Sequence, residues 1–209
     1  MSGDPIAGVL LAAGMSTRMG NNKLFVELEG KSLLRRAVET ARDAGLLPIL
    51  VVLGHERDRA RNELAGLPCQ LVENPDYARG MNTSLRAGIA AVPESADAAV
   101  VMLADMPFVS AAMIRALVER FRSASAPLAL SLYDGVIAPP TLYGRALFPE
   151  IDALDGDGCG KRIIQQHRGQ AIEVSWPAQA LTDLDLPEDV QRVRSLLGDA
   201  QDSSKGLSR

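Results

Sequence analysis

Short apolar runs alternate along this chain with amphipathic segments whose apolar positions recur every three to four residues. The runs at 6–11, 49–53 and 98–104 are too short for typical helices. They also lack the polar alternation of half-exposed strands, so they predict strands buried on both faces. Shorter strands are predicted at 70–73, 128–133 and 171–175.

The amphipathic segments between these runs predict helices, and several carry a residue that favours a helix end. Ser32 and Ser110 stand where an N-cap is needed, Gly45 ends the first helix, and Pro187 begins the last. Further helices are predicted through about residue 64 and from near residue 83. From 134 to 169 the density of turn-forming residues rises and the alternation breaks.

Strands that alternate with helices predict an α/β fold: a doubly wound, mostly parallel, Rossmann-like sheet in three layers. The length of 209 residues predicts one domain, placed at 1–197, followed by a disordered tail at 198–209. Folds of this class bind ligands beyond the carboxyl ends of their strands, where the strand order reverses. Candidate chemistry is therefore expected just after each strand.

Composition excludes several classes of protein. A net charge of −4 argues against a non-specific nucleic-acid binder, which needs a basic face. Two cysteines are too few for a disulfide framework or a cysteine-based zinc site. Apolar stretches stay below the length of a membrane span, and the amino terminus lacks the basic start of a signal peptide. We therefore expect a cytoplasmic protein without nucleic-acid or membrane partners.

The loop after the first strand combines small residues with two cations. Small side chains let a ligand approach the backbone, and successive N–H groups form a concavity suited to phosphate oxygens. One cation is a planar, bidentate guanidinium and the other a point charge. The loop thus predicts a phosphate site, with a plain strand-to-helix turn as the alternative. Its residues are Leu11, Ala12, Ala13, Gly14, Arg18, Gly20 and Lys23.

Two common phosphate motifs are absent. A Walker A loop that ended in Gly30, Lys31 and Ser32 would need glycine where Phe25 stands. The dinucleotide fingerprint needs three closely spaced glycines after the first strand, where this chain has Gly14 and Gly20. A dinucleotide-dependent oxidoreductase is therefore disfavoured.

Acidic residues stand at two further places where a ligand is expected. Asp105 follows the most apolar strand, where a carboxylate can hold Mg²⁺, a hard cation that also bridges to phosphate. Asp183 and Asp185 alternate along an extended segment before Pro187, so both point to one side and either could complete a metal site. Helix capping is the alternative role for all three.

Four segments together resemble a known family. The loop from Leu11 to Gly20 with Lys23 resembles the signature of doubly wound nucleotidyltransferases. The segments at 74–85, 144–161 and 183–189 are similar to the base-recognition segment, second half and closing motif of the molybdenum cofactor cytidylyltransferases, within the MobA-like NTP transferase superfamily. The resemblance spans about residues 6–197.

The resemblance implies a role for each matching position. Leu11, Ala12, Ala13, Gly14, Ser16, Arg18 and Lys23 would bind the nucleotide triphosphate, with Arg18, Lys23 and Asp105 catalytic. Asn82 or the nearby backbone, with Ser84, would read the base. Asp105 and Asp185 would ligate Mg²⁺, or Mn²⁺ in its place. Asp157 and Asp183 would face the acceptor.

The resemblance also implies a reaction, in which CMP passes from CTP to the terminal phosphate of the molybdenum cofactor. Ala13 favours CTP, because the guanylyl branch has glycine there, whereas Met106 is closer to that branch. A molybdoenzyme or its chaperone would be a further partner of such an enzyme.

Three alternatives stay open. The first is guanylyl or cytidylyl transfer to another acceptor: a sugar phosphate, an isoprenoid precursor phosphate or phospholactate. The second is an NAD(P)H-dependent oxidoreductase on this scaffold. The third is a non-catalytic cofactor-binding or insertion chaperone, against which the intact Arg18, Lys23, Asp105 and Asp185 argue.

Overall fold

The computed structural model of this protein describes residues 4–14, 22–182 and Asp189. Within that part of the chain, strands and helices alternate as the sequence predicts. The predicted last helix and the predicted tail at 198–209 fall outside the described residues, Asp189 excepted. In chain order the elements are β1 (Ile6–Ala12), β2 (Glu27–Leu28), β3 (Lys31–Ser32), α1 (Leu33–Asp43), β4 (Ile49–Leu53), α2 (Arg57–Glu63), β5 (Gln70–Glu73), α3 (Met81–Ala90), β6 (Ala98–Leu103), α4 (Ala111–Arg122), β7 (Leu128–Tyr133), β8 (Val136–Gly144), α5 (Phe148–Asp152), α6 (Lys161–His167) and β9 (Ile172–Trp176).

A single large sheet dominates the described residues, with seven strands in the order β5-β4-β1-β6-β8-β7-β9. Strands β5, β4, β1 and β6 are parallel, β8 runs antiparallel to β6 and β7, and β9 is parallel to β7. The chain leaves β1 toward β4 and β5, then returns to the other side of β1 as β6. The strand order therefore reverses between β1 and β6, which confirms the doubly wound, mostly parallel fold.

The sheet is covered on both faces, because alternate residues of the central strands enter different cores. Ile6, Leu10 and Ala12 pack with apolar residues of α1, α2 and α4. Val9 and Leu11 pack with those of α3, α5 and α6 on the opposite face. The result is the predicted three-layer arrangement. Among the described residues, no helix is long and apolar enough to cross a membrane.

Strand β8 is the longest element that the sequence pattern missed; β2, β3, α5 and α6 were not predicted either. Pro139 and Pro140 argue against a strand, because proline cannot donate to a sheet ladder. The register slips at this place: Leu130 pairs with Thr141 but Ser131 pairs with Ala138, so both prolines lie in a bulge. Side chains of β7 bind the carbonyls of the bulge, since Ser131 Oγ donates to Pro140 O at 2.7 Å and Tyr133 Oη to Pro139 O at 2.8 Å.

Candidate active site

The residues after β1 form one wall of a cleft at the carboxyl ends of the parallel strands. Leu11 pairs with Leu103 of β6, so the residues that follow these two strands lie at the same edge of the sheet. The N–H of His55 donates to Ala13 O at 3.3 Å, which ties the loop to the end of β4. Lys23 opens a short 3₁₀ helix at Lys23–Phe25 that is capped by the side chain of Asn22.

Lys23 and Asp105 form an ion pair across this edge. Lys23 Nζ lies 2.7 Å from Asp105 Oδ2, and the two side chains are 15% and 19% exposed. The two residues are far apart in sequence, and the pairing of β1 with β6 brings them together. The pair places a cation and a carboxylate side by side at the predicted binding edge. We call Ala13, Gly14, Lys23 and Asp105 the strand wall.

The cleft opens into a cavity of about 470 Å³, within the range of small-molecule sites. Residues 77–81, Ser84 and Asp157 line it as well. We call Asn74, the segment 77–84 and the loop 155–160 the helix wall. Eight of the predicted site residues line the cavity: Leu11, Ala12, Ala13, Gly14, Lys23, Ser84, Asp105 and Asp157.

Close packing of α3 on the sheet places Ser84 at the cavity. Gly88 lies one turn further along α3, and a Cβ atom there would clash with Val9 Cγ1. Glycine therefore lets the helix backbone approach β1. Ser84 is 4% exposed, and its Oγ lies 2.9 Å from Asn74 Nδ2.

Asn82 is buried, and its side-chain amide is bonded to the loop 155–160. It is 4% exposed and does not line the cavity. Its Nδ2 donates to Asp155 O at 2.9 Å and Asp157 O at 3.1 Å, and its Oδ1 accepts from Gly160 N at 3.0 Å. The amide therefore joins α3 to the loop 155–160. That Asn82 reads the base stays a prediction. Of the two residues predicted to read the base, Ser84 is the one that lines the cavity.

Asp157 strengthens the same junction from the loop side. Its Oδ1 accepts from the N–H of Met81, the first residue of α3, at 3.0 Å. Gly80 has a φ of +117°, and a Cβ atom there would lie 2.6 Å from Gly156 O. The two chain segments are thus in backbone contact at Gly80, where a side chain would force them apart.

Burial keeps the cysteine of this loop protonated. Desolvation raises the pKa of the Cys159 thiol to about 12, and the negative charge of Asp105 adds to the shift. A thiol with such a pKa is not a nucleophile at neutral pH. The cavity therefore offers a cation, a carboxylate and hydroxyl groups rather than an activated cysteine.

Several predicted residues lie outside the described part of the chain, and one contributor was missed. Ser16, Arg18, Asp183 and Asp185 fall in the undescribed ranges 15–21 and 183–188. Asn74 begins the segment 74–85 that resembles the base-recognition segment, but no role was predicted for it; it is 4% exposed and contacts Ser84. The available signal was an asparagine directly after a strand, the position of an Asx turn.

Comparison with known proteins identifies similar chains and the domain family that they share. The family model for the MobA-like NTP transferase domain matches residues 8–171. Over 207 residues the chain is 32% identical to the purine catabolism protein PucB of Bacillus subtilis, covering 90% of this chain and 96% of that protein.

Solved structures agree with the fold. The chain matches Rv0371c from Mycobacterium tuberculosis H37Rv with a TM-score of 0.81 and 26% identity, over 93% of this chain and 100% of that one. A second structure, described as Rv0371c in complex with manganese, matches with a TM-score of 0.74 and 24% identity, over 93% and 100% of the two chains.

Proposed function

This chain belongs to the family of MobA-like NTP transferase domains, and on that premise we propose that it transfers CMP from CTP to the molybdenum cofactor. The acceptor is the terminal phosphate of the cofactor. Its oxygen forms a bond to the α-phosphorus of CTP, the bond from that phosphorus to the α,β-bridging oxygen breaks, and pyrophosphate leaves with the electron pair. The product is the cytosine dinucleotide form of the cofactor.

The observation that carries this proposal is the ion pair of Lys23 and Asp105, at 2.7 Å, in the cavity that Ala13 and Gly14 also line. Nucleotidyl transfer needs positive charge on the phosphates and a carboxylate that can hold a divalent cation. Both groups stand at the point where the strand order reverses. The nucleophile is already an anion, so no general base is required, and the protonated Cys159 is consistent with a site that lacks one.

In this mechanism the chain acts by positioning and by charge. The N–H groups around Ala13 and Gly14 bind phosphate oxygens, and Lys23 offsets the negative charge that develops on the leaving pyrophosphate. Arg18, by its place in the motif, would clamp the same phosphates. Holding both substrates in line replaces a bimolecular encounter with an effectively unimolecular step.

The residues that are present fit a divalent cation of the magnesium type. Asp105 presents a partly exposed carboxylate to the cavity, and Mg²⁺ typically uses one or two carboxylates together with substrate phosphates. Within the described residues there is no cluster of three or more His, Cys, Asp or Glu for an all-protein metal cage. When bound, Mg²⁺ supplies Lewis-acid polarisation of the phosphates. Asp105 would hold it, with Asp185 as the second predicted ligand.

The choice of CTP over GTP rests on Ala13 and Ser84. Ala13 lines the cavity, and its methyl group would leave less room for a purine base than glycine would. Met106, which favoured the guanylyl branch, is 7% exposed and packs in the apolar core with α1 and α4 rather than lining the cavity. Its side chain therefore carries little weight in the choice of base.

Acceptor binding is proposed for the open side of the helix wall. Asp157 lines the cavity, and Asp183 would approach from the closing motif. A molybdoenzyme or its chaperone would then take up the product, since the dinucleotide cofactor is consumed by an enzyme that incorporates it.

A pyrophosphate-release assay over four NTPs and several acceptors tests the proposal. The acceptors are the molybdenum cofactor, a sugar phosphate, an isoprenoid precursor phosphate and phospholactate, each with Mg²⁺. We expect the fastest release with CTP and the molybdenum cofactor, and no consumption of NADPH. Faster release with GTP or with another acceptor would contradict it.

A further inference from the structure

Asn74 is a buried asparagine whose hydrogen bonds can all be assigned a direction. It follows β5 directly and is 4% exposed. One side-chain atom faces the backbone N–H of Asp76 at 3.0 Å, and a backbone N–H can only donate. The facing atom must therefore be Oδ1, which fixes the other atom as the amide nitrogen.

The amide nitrogen of Asn74 then sets the roles of two hydroxyl groups. Nδ2 lies 2.9 Å from Thr83 Oγ1 and 2.9 Å from Ser84 Oγ. Because an amide nitrogen only donates, both hydroxyl oxygens accept, and their own hydrogens must point elsewhere. Thr83 directs its hydrogen to backbone carbonyls, with Gly80 O at 2.8 Å and Asp76 O at 3.1 Å.

The hydroxyl hydrogen of Ser84 is not used in the bond with Asn74, so it can be donated to an acceptor in the cavity. Within the described residues, the bond from Asn74 is the hydrogen bond that its hydroxyl makes, and in that bond the oxygen accepts. Ser84 is 4% exposed and lines the cavity. A buried hydroxyl hydrogen without an acceptor among the described residues favours an acceptor on the ligand.

We propose that Asn74 is a positioning residue for base selection: it holds the Ser84 hydroxyl as a hydrogen-bond donor toward the nucleobase. This inference rests on the proposed function in taking Ser84 to face the base. Cytosine offers an unprotonated N3 that accepts such a bond. The corresponding edge atom carries a hydrogen in uracil (N3) and in guanine (N1), so a donor there favours cytosine over these two bases. The asparagine touches neither substrate and acts through Ser84.

Replacing Asn74 with aspartate changes the direction of the bond while keeping the shape. A carboxylate cannot donate to Ser84. The Ser84 hydroxyl therefore turns its hydrogen toward the new carboxylate and offers a lone pair to the cavity. The N3–H of uracil then becomes the better partner. The added negative charge weakens the binding of every NTP, and the ratio of two dissociation constants removes that common effect.

The test measures dissociation constants for CTP, UTP and GTP by titration calorimetry on the full chain with Mg²⁺ and no acceptor. Wild type, Asn74→Asp, Asn74→Ala, Ser84→Ala and the double variant Asn74→Asp/Ser84→Ala are compared. We expect Asn74→Asp to lower the preference for CTP over UTP by about 10- to 100-fold, as for one reversed hydrogen bond. Asn74→Ala frees the hydroxyl to rotate and lowers the preference without inverting it, which keeps the test usable if the aspartate variant does not fold.

The double variant separates positioning from a general structural role. Once Ser84 is alanine, Asn74→Asp should change the CTP to UTP ratio by less than about 2-fold, because the coupled partner is gone. Thr83→Val is the matched control, since it removes the other hydroxyl bound by Asn74 and should leave the ratio unchanged. An unchanged ratio in both Asn74 variants, or an equal change without Ser84, would overturn the inference.

The outcomes for the two proposals differ. A wild-type preference for GTP over CTP contradicts the proposed function, yet a shift of the ratio in Asn74→Asp would still support the role of Asn74. A wild-type preference for CTP that Asn74→Asp does not alter supports the function and overturns this inference.

Discussion

The strand wall and the helix wall of the cavity are held together by different forces. In the strand wall, the central contact is an ion pair between Lys23 and Asp105 at 2.7 Å. In the helix wall, most contacts are hydrogen bonds of neutral amides: Asn74 binds Thr83 and Ser84, and Asn82 joins α3 to the loop 155–160. The bond from the Met81 N–H to the Asp157 carboxylate is the exception.

The strand wall thus contributes charged groups that can exchange partners, whereas the helix wall contributes a fixed shape. A triphosphate and a cation can replace the partners of Lys23 and Asp105 without moving the backbone, because each charged group exchanges one partner for another. The buried amides of the helix wall have no such exchange available, and removing one leaves carbonyl or N–H groups unpaired. Substitutions in the strand wall should therefore change rate more than stability, and those in the helix wall should change both.

Asp105→Asn should have the largest effect. It removes the carboxylate expected to hold Mg²⁺ but keeps the size of the side chain, so turnover should fall by at least about 10³-fold. Pyrophosphate release titrated with Mg²⁺ measures the change. Glu39→Gln is the matched control, because it neutralises the carboxylate of the more exposed pair with Lys31, at 2.6 Å. Near wild-type turnover in Asp105→Asn would remove Asp105 from the mechanism.

The same titration assigns the second metal ligand. Asp185→Ala should raise the Mg²⁺ requirement more than Asp183→Ala, because Asp185 matches the closing motif of the family. The reverse order would reverse the assignment.

Lys23→Ala should lower kcat/KM by about 10²- to 10³-fold, the usual cost of one charge-stabilising contact at a phosphate. Lys23 lies in a short 3₁₀ turn rather than in the core, so the thermal midpoint should change little. Lys31→Ala removes a lysine of similar ion pairing from the surface and should leave the rate unchanged. A folded Lys23→Ala protein with the activity of wild type would contradict the proposed role.

Asn82→Ala tests the helix wall and should affect stability as well as binding. It leaves the carbonyls of Asp155 and Asp157 without their donor, which costs about 1–3 kcal/mol. We expect the KM values of both substrates to rise by about 10-fold, since the loop 155–160 loses its tie to α3. Denaturant unfolding and steady-state kinetics measure the two effects. The exposed Asn62→Ala on α2 serves as the control, and a change of rate without a change of stability would contradict this division between the walls.

Ala13→Gly should have a smaller effect, confined to the choice of base. Removing one methyl group gives a purine more room, and a contact of this kind is worth about 1–3 kcal/mol at most. We expect the preference for CTP over GTP to fall by about 10-fold, read from kcat/KM for each nucleotide. A preference that stays the same would place base selection in the helix wall alone.

The smallest effect concerns Cys159, whose thiol pKa responds to the charge of Asp105. In a Cys69→Ala background its thiolate should form near pH 12, because desolvation raises its pKa from the usual 9. The folded state holds this proton more tightly than the unfolded chain. The resulting contribution to stability is therefore complete below about pH 9 and is lost as the pH rises toward 12. Asp105→Asn should lower this pKa, since it removes the second cause of the shift, and no shift in that variant would contradict the assignment.

The alternation of apolar runs and amphipathic segments was enough to predict the fold class, most of the strands and the caps of α1 and α4. Those features depend on short-range patterns, such as Ser32 and Ser110 accepting from the N–H groups of Arg35 and Met113. Strand β8 was missed because Pro139 and Pro140 oppose a strand locally, and their bulge is satisfied by side chains of β7. The turn between those strands did carry a local signal, the dipeptide Asp134-Gly135, which favours a two-residue hairpin turn. In the structure both residues have the positive φ that such a turn needs.

What the sequence by itself determined was the chemistry of the strand wall: a loop of small residues, Lys23, and Asp105 after the most apolar strand. Parallel strands bring such residues to one edge, so their meeting follows from the order of elements. Tertiary structure alone decided the helix wall, because Asn82 and Asp157 meet across more than 70 residues of chain. The direction of the Ser84 hydroxyl depends on a chain of donors that begins at the backbone N–H of Asp76. A hydrogen bond has a direction set by its partners, and those partners are chosen by packing rather than by any local pattern of residues.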